Sequence, residues 1–132
     1  MKTFEKPIIY IIDGDYKLLN SLSTRLKIND VIVEVFFSAE DFLKTKTKTK
    51  TKIRTRGSFL VVEVNLPNMN GIELLEHINN LGVKLPTIVL SSGSEVSEAV
   101  RAMQAEAIDY IEKPFIENTL IQKVLNVIGQ AE

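Results

Sequence analysis

Apolar and polar positions follow two rhythms along this chain. Short, nearly unbroken apolar runs such as Ile8-Ile9-Tyr10-Ile11-Ile12, Phe59-Leu60-Val61-Val62 and Thr87-Ile88-Val89-Leu90 alternate with stretches in which apolar residues recur every third or fourth position. A run without alternation suits a strand buried on both faces, and the longer spacing suits an amphipathic helix. The pattern predicts strands over Pro7–Ile12, Val31–Phe36, Phe59–Val64, Pro86–Ser91 and Ala107–Ile111. It predicts helices over Tyr16–Ile28, from Ser38 onward for a short distance, and over Ile72–Asn80, Glu95–Ala105 and Glu117–Gly129. Asp15 is placed to cap the first helix, and Ser38 the second, with Asp41 at the capping-box distance. Strict alternation of strand and helix argues for an α/β fold with a parallel sheet. Right-handed crossovers then close it as a flavodoxin-like doubly wound sheet of five strands, order 2-1-3-4-5, flanked by five helices. The chain reads as a single domain over residues 1–132, with its core at about 7–128.

One segment breaks the rhythm. From Lys44 to Lys52 lysine alternates with threonine, and Arg54 and Arg56 follow. Threonine is a poor helix former, a period of two builds no amphipathic helix, and the positive charges repel one another. Helix two is therefore expected to stop early, leaving a basic low-complexity loop over 44–56. Those residues hold seven basic side chains and no acid. Of the net charge of −1, they leave −8 on the rest of the chain, with nine basic and seventeen acidic residues. The tract admits a solvated insertion, contact with nucleic acid or an anionic membrane, or docking on the acidic body of a neighbouring subunit.

Composition narrows the class. At 45% hydrophobic and 25% charged residues the 132-residue chain is an ordinary globular sequence. The absence of cysteine excludes a disulfide framework, a thiolate metal site and a thiol nucleophile. The first apolar run is five residues long and meets Asp13-Gly14-Asp15, too short for a signal-peptide core or a membrane span. A cytoplasmic location is the expectation.

The strand ends carry the chemistry. Asp13, Glu63, Ser91 and Lys113 each follow an apolar run, and a parallel sheet brings such carboxyl ends to one edge, where these folds bind ligands. Two carboxylates, a hydroxyl and an ammonium make a set suited to a divalent cation and a phosphoryl group.

At this point the residues resemble a family. Asn65-Leu66-Pro67-Asn68-Met69-Asn70-Gly71 after strand three, Ala99-Val100-Arg101-Ala102-Met103 in helix four and Asp109-Tyr110-Ile111-Glu112-Lys113-Pro114-Phe115 resemble, in order and spacing, the CheY-like receiver domains of two-component response regulators. The resemblance implies an aspartate acceptor after strand three and Mg²⁺ held by acids after strand one. It also implies a phosphate-binding lysine, and a hydroxyl and an aromatic that report phosphorylation. Asp13 matches the first acid, Ser91 the switch hydroxyl, Tyr110 the switch aromatic, and Lys113, before Pro114 in a peptide commonly cis in the family, the lysine. Two matches fail: the acceptor position is Glu63, and the second acid is Gly14.

Both departures bear on the chemistry. Mg²⁺ demands near-octahedral hard oxygen ligands at about 2.0–2.1 Å, and glycine supplies none. The set left for it is Asp13, Glu63 and the Asn65 backbone carbonyl, with Asp15 drawn to its helix cap. At most weak Mg²⁺ binding is expected, and no other cofactor. Glu63 reaches further by one methylene, and reactivity falls about 10²-fold for a misplacement of about 1 Å. The expectation is an atypical receiver, a pseudo-receiver and interaction module that is not an enzyme, with conventional phosphorylation lost. Glu63 then stands either as a built-in charge reaching Lys113 and Ser91, or as one half of a plain Glu63–Lys113 salt bridge. The rival reading is a phosphorylatable, Mg²⁺-dependent receiver using Glu63.

The resemblance also implies partners: a histidine kinase or an output domain, and a homodimer through helix four, strand five and helix five. Arg101, Asp109 and Glu112, with Glu95, Glu98 and Lys123, supply charges of both signs there. No helix-turn-helix pattern follows helix five, so no nucleic-acid contact is expected from the receiver itself. His77 has no second His or Cys to complete a metal site and reads as a surface residue. Glu106 stands between Ala105 and Ala107 where the resembled pattern has glycine. A left-handed backbone there would cost about 1 kcal/mol, so the turn is expected to differ locally.

Overall fold

Unbroken apolar runs become five strands, β1 (Ile8–Ile12), β2 (Ile32–Phe36), β3 (Ser58–Glu63), β4 (Thr87–Ser91) and β5 (Asp109–Glu112), in a computed structural model that describes residues 6–48, 57–93 and 95–130. All pair in parallel in the order β2-β1-β3-β4-β5. Helices α1 (Tyr16–Lys27), α2 (Ala39–Lys48), α3 (Gly71–Asn80), α4 (Val96–Gln104) and α5 (Glu117–Gln130) alternate with them. Expected and observed ends agree to within one or two residues for every element but α2.

Each central strand sends successive side chains to opposite faces, so one sequence fills two cores. Tyr10, Ile12, Leu60, Val62 and Val89 pack on one face with Phe42 of α2, Ile72, Leu75 and Ile78 of α3, and Ala102 of α4. Ile9, Ile11, Phe59, Val61, Ile88 and Leu90 pack on the other with Leu19, Leu22 and Leu26 of α1 and Leu120, Val124 and Ile128 of α5. Phe42 meets Tyr10 and Phe36 edge-on, at ring-centre distances of 5.5 and 5.2 Å, and anchors α2 to the sheet.

The expectation that helix two stops before Lys44 is corrected here. Helix α2 continues through Lys44 to Lys48, because tertiary contacts outweigh propensity. Lys46 is nearly buried, pairs with Glu34 of β2 at 2.6 Å and lies 5.1 Å above the Tyr10 ring. The remainder of the basic tract, residues 49–56, lies outside the described residues. Ser38 caps α2 as expected, its hydroxyl accepting from the Asp41 N–H at 3.0 Å.

The turn at Glu106 is a second correction. Its φ of 69° is left-handed, and the helix ends as glycine would end it. The Ala107 N–H donates to the Ala102 carbonyl at 3.1 Å and the Glu106 N–H to the Met103 carbonyl at 3.0 Å, a Schellman pair. Helix α3 closes in the same way on Gly82, φ 79°. Two backbone hydrogen bonds hold Glu106 in a conformation its side chain disfavours, and its exposed pair with Lys84 adds little. Glu106→Gly should therefore stabilise the protein by up to about 1 kcal/mol, read as a raised urea midpoint with an unchanged slope.

Candidate functional site at the carboxyl edge of the sheet

Register decides which side chains meet. Ile12 lies beside Val62, Glu63 beside Leu90, and Ser91 beside Glu112. Asp13 and Glu63 therefore emerge side by side, and Lys113, two residues beyond Ile111 at the Glu63 level, follows from the end of β5 on the same face. The loop after β3 is drawn back under the site. Asn68 takes a left-handed φ of 62°, and Asn70 caps α3 in a reciprocal box with Glu73, at 2.9 and 3.0 Å. Gly71 then packs against the end of β3 so closely that a Cβ there would lie 2.2 Å from the Glu63 carbonyl oxygen.

Lys113 is the centre of the site. Its ammonium lies 2.8 Å from Asp13 Oδ2 and 3.0 Å from Glu63 Oε2, bridging two carboxylates that are 1% and 3% exposed. The contact with Asp13 is a hydrogen bond. The approach to Glu63 Oε2 is an ion pair outside hydrogen-bond alignment, and among the described residues that oxygen has no hydrogen-bond partner. Burial works to lower the Lys113 pKa, but the hydrogen bond to Asp13 and the attraction of both Asp13 and Glu63 prevail and raise it, so the ammonium stays charged. The other oxygens are also engaged. Asp13 Oδ1 accepts from the Asp15 N–H at 2.8 Å, and Glu63 Oε1 accepts from Ser92 Oγ at 2.9 Å and the Asn65 N–H at 3.3 Å. The peptide between Lys113 and Pro114 is cis. Beside this cluster an open cleft of about 360 Å³ is lined by Asp15, Leu18, Ser92, Lys113, Phe115 and Glu117, among others.

The donor set does not fit the Mg²⁺ that the resemblance implies. Gly14 offers no oxygen from a side chain, and Asp15 is exposed with its Oδ1 engaged as the α1 cap, accepting from the Lys17 and Leu18 N–H groups. The Asn65 side-chain oxygen accepts from the Ser92 N–H at 3.2 Å. That leaves Asp13 and Glu63, with an ammonium already between them, and the uncharged backbone carbonyl of Asn65. Among the described residues no group of three acidic, His or Cys side chains gathers as a metal site. Two carboxylates against one lysine also leave the site net negative, which repels a phosphoryl donor.

The remaining expected residues are placed as follows. Ser91 is buried but turns away from Glu63, correcting the expectation that Glu63 reaches it. Its Oγ donates toward the Gly93 carbonyl at 2.7 Å and lies 3.2 Å from Glu98 Oε1. Neighbouring residues in a strand point to opposite sides, so the hydroxyl that meets Glu63 belongs to Ser92. Tyr110 is half-buried, with its hydroxyl 3.4 Å from the Gly93 carbonyl and 3.5 Å from Glu98 Oε1. Burial raises its phenol above the ordinary range, the Ser91 hydroxyl opposes this, and the charges of Glu98 and Glu112 add to the rise. His77 is exposed on α3.

On α4, β5 and α5, Arg101, Asp109 and Lys123 of the charges expected to face a partner are engaged within the chain. Arg101 grips Glu76 of α3 with two hydrogen bonds, at 2.8 and 3.3 Å, and Lys123 pairs with Asp109. Glu112 is exposed, and Glu95 occupies the α4 cap position without a side-chain cap bond. The sequence reading missed Ser92 and Glu76, and took Glu98 only as a surface charge, not as a neighbour of Ser91 and Tyr110. The Ser91-Ser92 pair was the available signal for the first, since one of two adjacent hydroxyls must face the pocket.

Comparison with known proteins agrees with this geometry. The model of the response regulator receiver domain matches residues 9–125. The transcriptional regulatory protein FixJ of Rhizobium meliloti is 34% identical over 116 residues, 88% of this chain and 54% of that protein. The response regulator protein TodT of Pseudomonas putida is 32% identical over 114 residues, 86% of this chain and 48% of that protein. The chain thus spans about half the length of the curated relatives it matches. A crystal structure of a response regulator receiver protein from Pseudoalteromonas atlantica superposes with a TM-score of 0.82 at 39% identity, covering 96% of this chain and all of that one. No described helix is long and apolar enough to cross a membrane. The chain belongs to the response regulator receiver domain family.

Proposed function

We propose that this receiver signals without a phosphoryl group, as a protein-interaction module whose acidic pocket is closed by its own lysine. The observation that carries the reading is Lys113 bridging Asp13 and Glu63 beside a glycine at position 14. In a phosphorylatable receiver the lysine must be available to an incoming phosphoryl oxygen. Here its charge is committed to two buried acids. A carboxylate carries −1 where a phosphate carries about −1.5 to −2, and Glu63 leaves Ser91 untouched. That combination favours an inert clamp over an imitation of the phosphorylated state.

The partner would meet α4, β5 and α5. Val96, Val100 and Met103 are exposed along α4, with Ile108 and Ile116 beside them. A histidine kinase, an output domain or a second copy of the chain fits such a mixed apolar and charged face. The test is incubation with a small phosphodonor and Mg²⁺ followed by intact mass, with no change expected. A gain of one phosphoryl group that disappears in Glu63→Gln would overturn the reading in favour of a working acceptor.

A further inference from the structure

We infer that Glu98 of α4 is the positioning residue of the Ser91–Tyr110 pair, so that the pair answers to α4 and not to position 63. Two contacts converge on one oxygen. Glu98 Oε1 lies 3.2 Å from Ser91 Oγ and 3.5 Å from the Tyr110 hydroxyl, while the Gly93 carbonyl lies 2.7 and 3.4 Å from the same two groups. Each hydroxyl has one proton to give. The Gly93 carbonyl holds the shorter contact with Ser91, whose Oγ also accepts from the Gly93 N–H at 3.1 Å. The charged oxygen of Glu98 is the stronger acceptor for what remains. With the Ser91 proton given to Gly93, that is the proton of Tyr110, so Glu98 ties a side chain of β5 to α4 while its charge lies beside the Ser91 hydroxyl.

On the other side of the same turn, Ser92 and not Ser91 serves Glu63. The two adjacent serines divide the work: one faces the pocket, the other faces α4. Glu98 has a further property suited to transmission. Its contacts with the two hydroxyls, at 3.2 and 3.5 Å, are at the long end of hydrogen-bond range, so a small shift of α4 makes or breaks them. The outward face of that helix carries the exposed Val96, Val100 and Met103. A partner pressing on those residues would move Glu98, and with it Ser91 and Tyr110. The inference concerns the unmodified protein and stands or falls separately from whether Glu63 accepts a phosphoryl group.

The experiment labels tyrosine rings for NMR, with the Tyr110 signal assigned through Tyr110→Phe, and follows amide exchange across Val96–Gln104. Glu98→Ala should displace the Tyr110 signal and speed exchange in α4 by about fivefold, the effect of losing one ordinary hydrogen bond. Glu98→Gln, which keeps an acceptor oxygen, should fall closer to the parent than Glu98→Ala. Glu63→Gln should leave the Tyr110 signal in place. In a Tyr110→Phe background the effect of Glu98→Ala on α4 exchange should shrink, as coupled residues require. An unmoved Tyr110 signal in Glu98→Ala, an equal displacement in Glu63→Gln, or fully additive exchange effects would each overturn the inference.

Discussion

Replacing Lys113 by methionine should destabilise the protein by about 3 kcal/mol, at the lower end of the 3–5 kcal/mol typical of breaking a buried ion pair, because the lysine keeps some contact with water. Its side chain is 19% exposed, whereas those of Asp13 and Glu63 are 2% and 3% exposed. Methionine keeps much of the stem's volume and removes the charge. The cost therefore comes from leaving two carboxylates facing each other without a counter-charge, more than from lost packing. A natural domain has only about 5–15 kcal/mol in total, so the loss will be plain in a urea titration. The second half of the prediction identifies the cause. Adding Glu63→Gln to Lys113→Met removes one of the opposed charges while keeping the shape, and should recover a substantial part of the stability. Glu63→Gln alone should cost less than Lys113→Met alone, since Lys113 would still hold Asp13. If the double variant were as unstable as the sum of the singles, the three groups would not form one electrostatic unit.

Apolar runs placed the strands because a strand covered on both faces has no choice of pattern. The order of the sheet followed from crossover handedness, and with it the meeting of Asp13, Glu63 and Lys113 at one edge. Side-chain direction at the strand ends was not legible. Ser91 and Ser92 are equivalent in composition, and only the pleat decides that the second one reaches Glu63. Helix α2 was misjudged because local propensity counts every lysine alike, whereas Lys46 is held by Glu34 and lies over Tyr10. Glu106 was misjudged for the converse reason. A side-chain preference worth about 1 kcal/mol was weighed without the two backbone hydrogen bonds that oppose it. The Arg101–Glu76 pair joins α4 to α3, a contact between helices separated by a strand that no local pattern reveals.

Restoring phosphoryl transfer should take two substitutions together, Gly14→Asp and Glu63→Asp, and neither alone. Position 14 is exposed, its backbone is outside the left-handed region, and a Cβ there would meet nothing within 4 Å, so an acid can be added without disturbing the fold. Alone it adds a ligand beside a carboxylate whose reach is still one methylene too long. Shortening Glu63 alone corrects that reach but leaves a hard cation short of an acidic ligand. Each defect by itself is of the order that costs about 10²-fold in rate, through misplacement in one case and lost charge stabilisation in the other. The double variant should therefore gain one phosphoryl mass when incubated with a small phosphodonor and Mg²⁺, while the parent and both singles do not. The same cation would compete with Lys113 for Asp13, and Mg²⁺ should raise the thermal stability of the double variant far more than that of the parent. A parent protein labelled as readily as the double variant would mean that the ammonium clamp is no barrier. A double variant that binds Mg²⁺ and stays unlabelled would place the block elsewhere, in the Ser91–Glu98–Tyr110 arrangement that this pair of substitutions leaves untouched.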